Sequence, residues 1–283
     1  MLHSLHVPTT FSLSSPQNLN PLSLASPSSP SPYPPLILQF RTAPRENLRY
    51  LKTLGIIHPK TRLYKFPSPI TLEQIVSTVD FLKSKGFSDS DFPRLAFLVP
   101  KLFSPHFDPN NVVPVFEFLT FELSASLDES KRLILRCPEI LFSNVEYCLR
   151  PTLNYLREIG IQKLNRPSNL NAYLLNTRVD KLDERMRFLR CIGLPCEDSA
   201  RICARFPAIF RYSLESNLIP KYEYLVGEMK RDVVELNGFP QYFGYSLEKR
   251  IVPRHLHLKQ RNVKVPLQRL LLLGDEKFYA KWK

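Results

Sequence analysis

Glycine is scarce in this chain, 8 of 283 residues, where average usage would give roughly 20. The deficit weighs against glycine-rich dinucleotide-binding sheets and most β folds, which need loop glycines. No G-x-G-x-x-G, G-x-x-x-x-G-K-[ST], H-E-x-x-H or G-x-S-x-G pattern occurs, so enzyme chemistry has no motif to rest on and none is expected. Long apolar runs are missing too. The longest aliphatic run is Leu270 to Leu273, far short of the roughly 20 apolar residues that span a bilayer, so no membrane partner is expected. Five cysteines, Cys137, Cys148, Cys191, Cys196 and Cys203, form no C-x-x-C pair, which argues against a zinc ribbon and, the number being odd, against a disulfide framework. They are expected to be reduced and mostly buried.

Residues 1 to 40 lack Lys, Arg, Asp and Glu altogether, yet hold nine Ser and eight Pro. Such a stretch cannot offset its ordering entropy by burial and is expected to be disordered. An acid-poor, Ser-rich leader reads as an organelle transit peptide, here assigned to residues 1–45. Its first Arg is Arg41, which disfavours a mitochondrial helix and favours the plastid.

What is present in excess is positive charge and proline. Lys and Arg number 39 against 26 Asp and Glu, a net charge of +13, and there are 26 Pro. Residues 41 to 130 carry 11 basic and 10 acidic side chains, whereas residues 131 to 283 carry 28 and 16. Nearly all the excess therefore lies in the carboxy-terminal half.

An internal repeat organises the chain. Leu51, Leu82, Leu119, Leu156, Leu189, Leu225 and Leu258 are spaced by 31, 37, 37, 33, 36 and 33 residues, and all but the last follow an aromatic. Gly55, Gly86, Gly160 and Gly193 stand four residues after four of them. Pro114, Pro151, Pro220 and Pro253 each lie five residues before a frame leucine; Pro138, Pro207 and Pro240 each lie 18 before one. Proline stops a helix or occupies its first turn. Each unit is thus predicted to be a helix halted near the first proline, a short segment, then a helix opened by the second proline and closed at the glycine. Thr71-x-x-Gln74 and Ser126-x-x-Glu129 have capping-box form, and Leu127, Leu133, Ile134 and Cys137 mark one buried stripe. The copy around Asn171 to Glu184 lacks both prolines. About seven stacked units predict an all-α solenoid over residues 46–265, with a C-terminal helix and basic tail over 266–283.

The basic residues form two groups. Arg132 with Arg136, and Arg201 with Arg205, stand six and two residues before Pro138 and Pro207. Like charges four apart on a helix cost a few tenths of a kcal/mol, so their repetition in register points to a polyanion, against the plainer reading of a solvated face paired with acids such as Glu139 and Glu197. Lys249, Arg250, Arg254, Lys259, Arg261 and Lys264 open a tail with ten basic and two acidic residues, a footprint of phosphate binding. Tyr212, Tyr242 and Tyr245 are candidates for base stacking, with packing between units the favoured alternative. His255-x-His257 has no second ligand pair nearby, so neither metal nor cofactor is expected.

Three segments carry a family resemblance: Arg136 to Phe142, Arg205 to Arg211, and above all Gly238 to Arg254, with Pro266 to Phe278 as a further match. They resemble the mitochondrial transcription termination factor (mTERF) family, specifically its plant organelle branch, over roughly residues 46 to 283. The resemblance implies a curved array of helical units that holds nucleic acid on a basic concave face, acting in organelle transcription termination or in RNA maturation. The expectation is a monomeric, plastid-imported binder of double-stranded DNA that terminates or pauses transcription. Plastid ribosomal or intron-containing RNA is the alternative ligand, and a scaffold docking an acidic protein of the transcription or ribosome machinery is the alternative class.

Overall fold

A computed structural model describes residues 39–66 and 68–283. The leader's residues 1–38 lie outside the described residues. The helix Gln39–Thr53 begins ahead of residue 46, so the boundary drawn from composition falls inside a helix. Among the described residues the regular structure is helical throughout, with no strand.

Each unit follows one recipe. In the best-formed copies a helix, Leu127–Arg136 or Cys196–Arg205, ends on a residue with φ near −140° and ψ near 70°, Cys137 or Phe206. The next residue is Pro138 or Pro207, which opens a five-residue 3₁₀ turn, Pro138–Phe142 or Pro207–Arg211. Phe239 and the turn Pro240–Gly244 repeat the pattern. Proline has φ near −65° and needs no N–H acceptor, so it stops the first helix and starts the tighter turn at once. Pro100, 19 residues before Leu119, opens a fourth such turn, Pro100–Phe103, after Val99.

The second helix does not open at its proline. It opens six or seven residues earlier on a polar cap: Asn144, Ser213 and Ser246 accept hydrogen bonds from the N–H groups of Tyr147, Ser216 and Lys249. Pro151, Pro220 and Pro253 then fall at the second turn. None can donate to the carbonyl four residues back, and the turn before each widens into i→i−5 bonds: Leu149 to Asn144, Leu218 to Ser213 and Ile251 to Ser246, at 3.0–3.1 Å. The capping signal was present in the sequence as Asn or Ser followed by an aliphatic residue and Glu.

All seven frame leucines are buried, and each carbonyl accepts the N–H of the residue that leads the chain out of the helix. Ile56, Phe87, Ile161, Leu194 and Val263 donate from five residues on, Ala125 and Arg231 from six. This closure places one left-handed residue between helix and exit. Gly55, Gly86, Gly160 and Gly193 take it with φ from 70° to 99°, as the sequence predicted, and Ser124, Lys230 and Asn262 take it in the remaining copies. Ser124 and Lys230 sit five residues after their leucines because the helices Phe118–Glu122 and Tyr224–Glu228 carry a π turn, one extra residue each.

Several local expectations are corrected. Ser126 and Glu129 form the predicted capping box, but Ser68 rather than Thr71 caps the helix Pro69–Ser84. Leu127 is half exposed, while Leu133 and Ile134 are fully buried. Only Cys203 among the five free cysteines is buried; Cys191 and Cys196 are exposed at a helix turn. The copy without prolines replaces the 3₁₀ turn by a short link between Asn169–Leu175 and Val179–Cys191.

Neighbouring units are bolted by one repeated device. The residue four before the frame leucine reaches the exit of the next unit's first segment. Thr152 donates to the Thr177 carbonyl at 2.8 Å, Arg185 to Tyr212 at 3.2–3.3 Å, Lys221 to Phe243 at 2.6 Å, and Arg254 to Leu270 and Leu273 at 2.8 and 2.7 Å. A buried carbonyl left without a donor costs about 1–3 kcal/mol, so these struts fix the register of the stack.

Candidate nucleic-acid interface

The arginines predicted to form a row occupy matching places on the first helices of two units. Arg132 and Arg201 are exposed and each pairs with an acid of its own helix: Asp128 one turn back, and Asp198 at 3.1 Å. Those acids, not Glu139 or Glu197, are the partners. Arg136 is exposed and, among the described residues, reaches only the Arg132 carbonyl, at 3.2 Å. Arg205 is exposed but bonds across the unit boundary to the carbonyls of Asn237 and Gly238, so it both faces solvent and ties two units. Arg94, six residues before Pro100, holds the same place one unit earlier and is exposed; the 19-residue offset of Pro100 hid it.

The carboxy-terminal cluster divides. Lys249, Lys259, Arg261 and Lys264 are exposed, and none has a carboxylate within ion-pair distance among the described residues. Arg261 donates to the His257 carbonyl at 3.2 Å. Arg254 does not belong with them. It is 1% exposed, donates to Leu270, Leu273 and, at 2.6 Å, to Asp275, and lies 4.5 Å from the Phe278 ring centre. Its hydrogen bond holds the Asp275 carboxyl below its ordinary range. Arg250 is likewise diverted, to the carbonyls of Leu271 and Leu273 at 3.1 and 2.5 Å, with its guanidinium over Tyr245. Both clamp the segment holding helices Leu267–Leu271 and Asp275–Lys281 onto the array. Burial, which a one-dimensional charge count does not register, separates these two from their neighbours.

The tyrosines are used in packing. Tyr212 stacks on Phe206 and Tyr245 on Phe239, while Tyr242 is fully buried and donates to the Lys221 carbonyl at 2.9 Å. His255 Nδ1 lies 2.8 Å from the Tyr224 hydroxyl and His257 Nε2 lies 2.5 Å from the Trp282 carbonyl. Burial first, then Lys259 and Arg231, hold the pKa of His255 below that of a free imidazole.

Lys221 is the least expected group. Its residue is 5% exposed, its ammonium contacts Asn217 Oδ1 at 2.8 Å and the Phe243 carbonyl, and no carboxylate pairs with it among the described residues. Burial lowers its pKa to about 8.

An all-α array of strutted units, stacked in one repeated register, defines a helical-repeat protein. The mTERF family model matches residues 48–165 and 108–279, together most of the chain. The protein belongs to the mTERF family, whose members are nucleic-acid-binding factors of organelle gene expression. Among the described residues no helix is long and apolar enough to cross a membrane.

Proposed function

We propose that the protein binds double-stranded DNA in the plastid, without catalysing a reaction, and there terminates or pauses transcription. The observation that carries this reading is the group of exposed cations with no carboxylate partner among the described residues, Arg136, Lys249, Lys259, Arg261 and Lys264, on an array in which Arg185, Arg250 and Arg254 are spent on holding units together. Unpaired cations on a fixed scaffold gain most from a ligand whose phosphates are themselves regularly spaced, because counterion release then adds over several contacts. Recognition of single-stranded RNA would draw on aromatic faces free to stack on bases. Tyr212, Tyr242 and Tyr245 are all occupied in packing, which removes these three as stacking platforms, while Phe97 and Tyr147 are exposed and make the RNA competition below the deciding test.

The chain acts as a monomer in this reading, and its Ser-rich leader directs it to the plastid. A fusion of residues 1–45 to a fluorescent reporter tests the address: plastid fluorescence is expected, and cytosolic or mitochondrial signal refutes it. Mobility shifts with duplex DNA, single-stranded RNA and heparin competitor test the ligand. Duplex binding that survives excess RNA is expected. Preference for RNA would move the function to transcript maturation, and no binding to either would favour docking to an acidic protein.

A further inference from the structure

One cleft of about 390 Å3 lies between the ends of the second helices of two adjacent units, where Lys230, Arg231, Lys259 and Lys264 meet His255 and a single acid, Glu228. An equivalent cleft of about 430 Å3 occurs upstream, around Ser124, Arg157 and Gln162. The gap itself is therefore a product of the repeat. What differs is its lining.

Aligned on the frame leucines, Ser124 becomes Lys230, Ala125 becomes Arg231, Leu153 becomes His255, Arg157 becomes Lys259 and Gln162 becomes Lys264. One of these exchanges runs against the stability of the fold. Arg231 holds the closing position that is apolar in the six other copies, Ile56, Phe87, Ala125, Ile161, Leu194 and Val263. It keeps its place through Glu235 at 2.6 Å and the Val265 carbonyl. Lys230 holds the left-handed position with φ 50°, as Ser124 does with φ 57°, so that exchange adds a charge without changing the backbone. Lys230, Lys259 and Lys264 are exposed and, among the described residues, have no ion-pair partner. Like charges gathered at one gap repel unless an anion joins them.

We infer that this cleft is a discrete phosphate-binding site, with Lys230, Lys259 and Lys264 supplying the donors and Arg231 fixed behind them. The ligand is a phosphate group, borne either by the nucleic-acid backbone or by free phosphate or a nucleotide. As a nucleic-acid contact the assignment rests on the function proposed above; as an anion site it rests on the cleft alone.

Thermal unfolding of the full chain in sodium phosphate and in sodium chloride of equal ionic strength tests it, because a ligand that binds only the folded state raises Tm. Phosphate is expected to raise Tm of the native chain and of K163Q, which alters the upstream cleft, and to have no such effect on K230Q/K264Q. Equal Tm in the two salts for the native chain, or a phosphate effect retained by K230Q/K264Q, would overturn the site. Duplex affinity measured on the same proteins separates the sources. A salt slope lower by about one for K230Q/K264Q, at roughly 0.9 per phosphate neutralised, places a backbone phosphate in the cleft. A phosphate effect without any duplex binding keeps the site, assigns it to a free phosphate or nucleotide, and refutes the DNA reading instead.

Discussion

Replacing Arg254 by Met separates a structural arginine from a ligand contact, which its sequence neighbourhood does not. The side chain keeps an aliphatic stem but loses the guanidinium. The Leu270 carbonyl loses its donor at 2.8 Å, at about 1–3 kcal/mol if it stays dry, while the Leu273 carbonyl keeps its bond from Arg250. The cation over the Phe278 ring adds roughly 0.5–2 kcal/mol. Asp275 is 69% exposed, so its pairing adds little. Allowing for water that re-enters near the surface, the variant is expected to lose about 3 kcal/mol. For a chain of this size that corresponds to a Tm lower by about 6–12 °C. Hydrogen exchange should localise the loss to residues 267–281, and Lys264→Ala in parallel should leave both readouts unchanged. An R254M protein with native Tm and native exchange but weakened nucleic-acid binding would refute the assignment.

Other outcomes follow from the same geometry. The pKa of Lys221 is lowered to about 8 from 10.5 in the folded state, so between those values the unfolded chain binds more protons and stability rises with pH. Its contribution is about 2 kcal/mol between pH 7.5 and 10, at 1.36 kcal/mol per unit; comparing denaturant titrations of the native chain and Lys221→Met at both pH values isolates it from Cys203 and Tyr242, whose pKa values burial raises, and an equal pH dependence in the two proteins would refute it. Gly193 has φ 99° with nothing within 4 Å of an added Cβ, so Gly193→Ala should cost about 1–2 kcal/mol through the backbone alone; an unchanged Tm would contradict the closure described for each unit. Arg201→Ala is expected to weaken duplex binding without changing Tm, whereas Arg205→Ala should change both, because Arg205 also bonds to Asn237 and Gly238.

The repeat was legible because its markers are local. Leu156 is buried and Gly160 is left-handed for reasons contained within five residues, and Pro138 stops a helix wherever it occurs. The second-helix starts were misplaced because the eye follows proline, while the capping signal at Asn144, Ser213 and Ser246 lies seven residues ahead. The site was less legible. Arg254 and Lys259 look alike in a charge count, yet one faces the carbonyls of the following segment and the other faces water. The frame held the missing clue: Thr152, Arg185, Lys221 and Arg254 all stand four residues before a buried leucine, a position that points into the next unit. Lys230 and Arg231 were overlooked because they lie outside the basic tail and become neighbours of Lys259 and Lys264 only when the units stack.

The salt dependence of duplex affinity, measured for the native chain and for the triple variant of Lys249, Lys259 and Lys264 to Ala, tests the central claim most directly. Log affinity is expected to fall linearly with log salt, and the triple variant should lower that slope by roughly two to three at about 0.9 per phosphate, with Tm unchanged. A flat salt response of the native chain, or a slope that survives the loss of all three lysines, would contradict it.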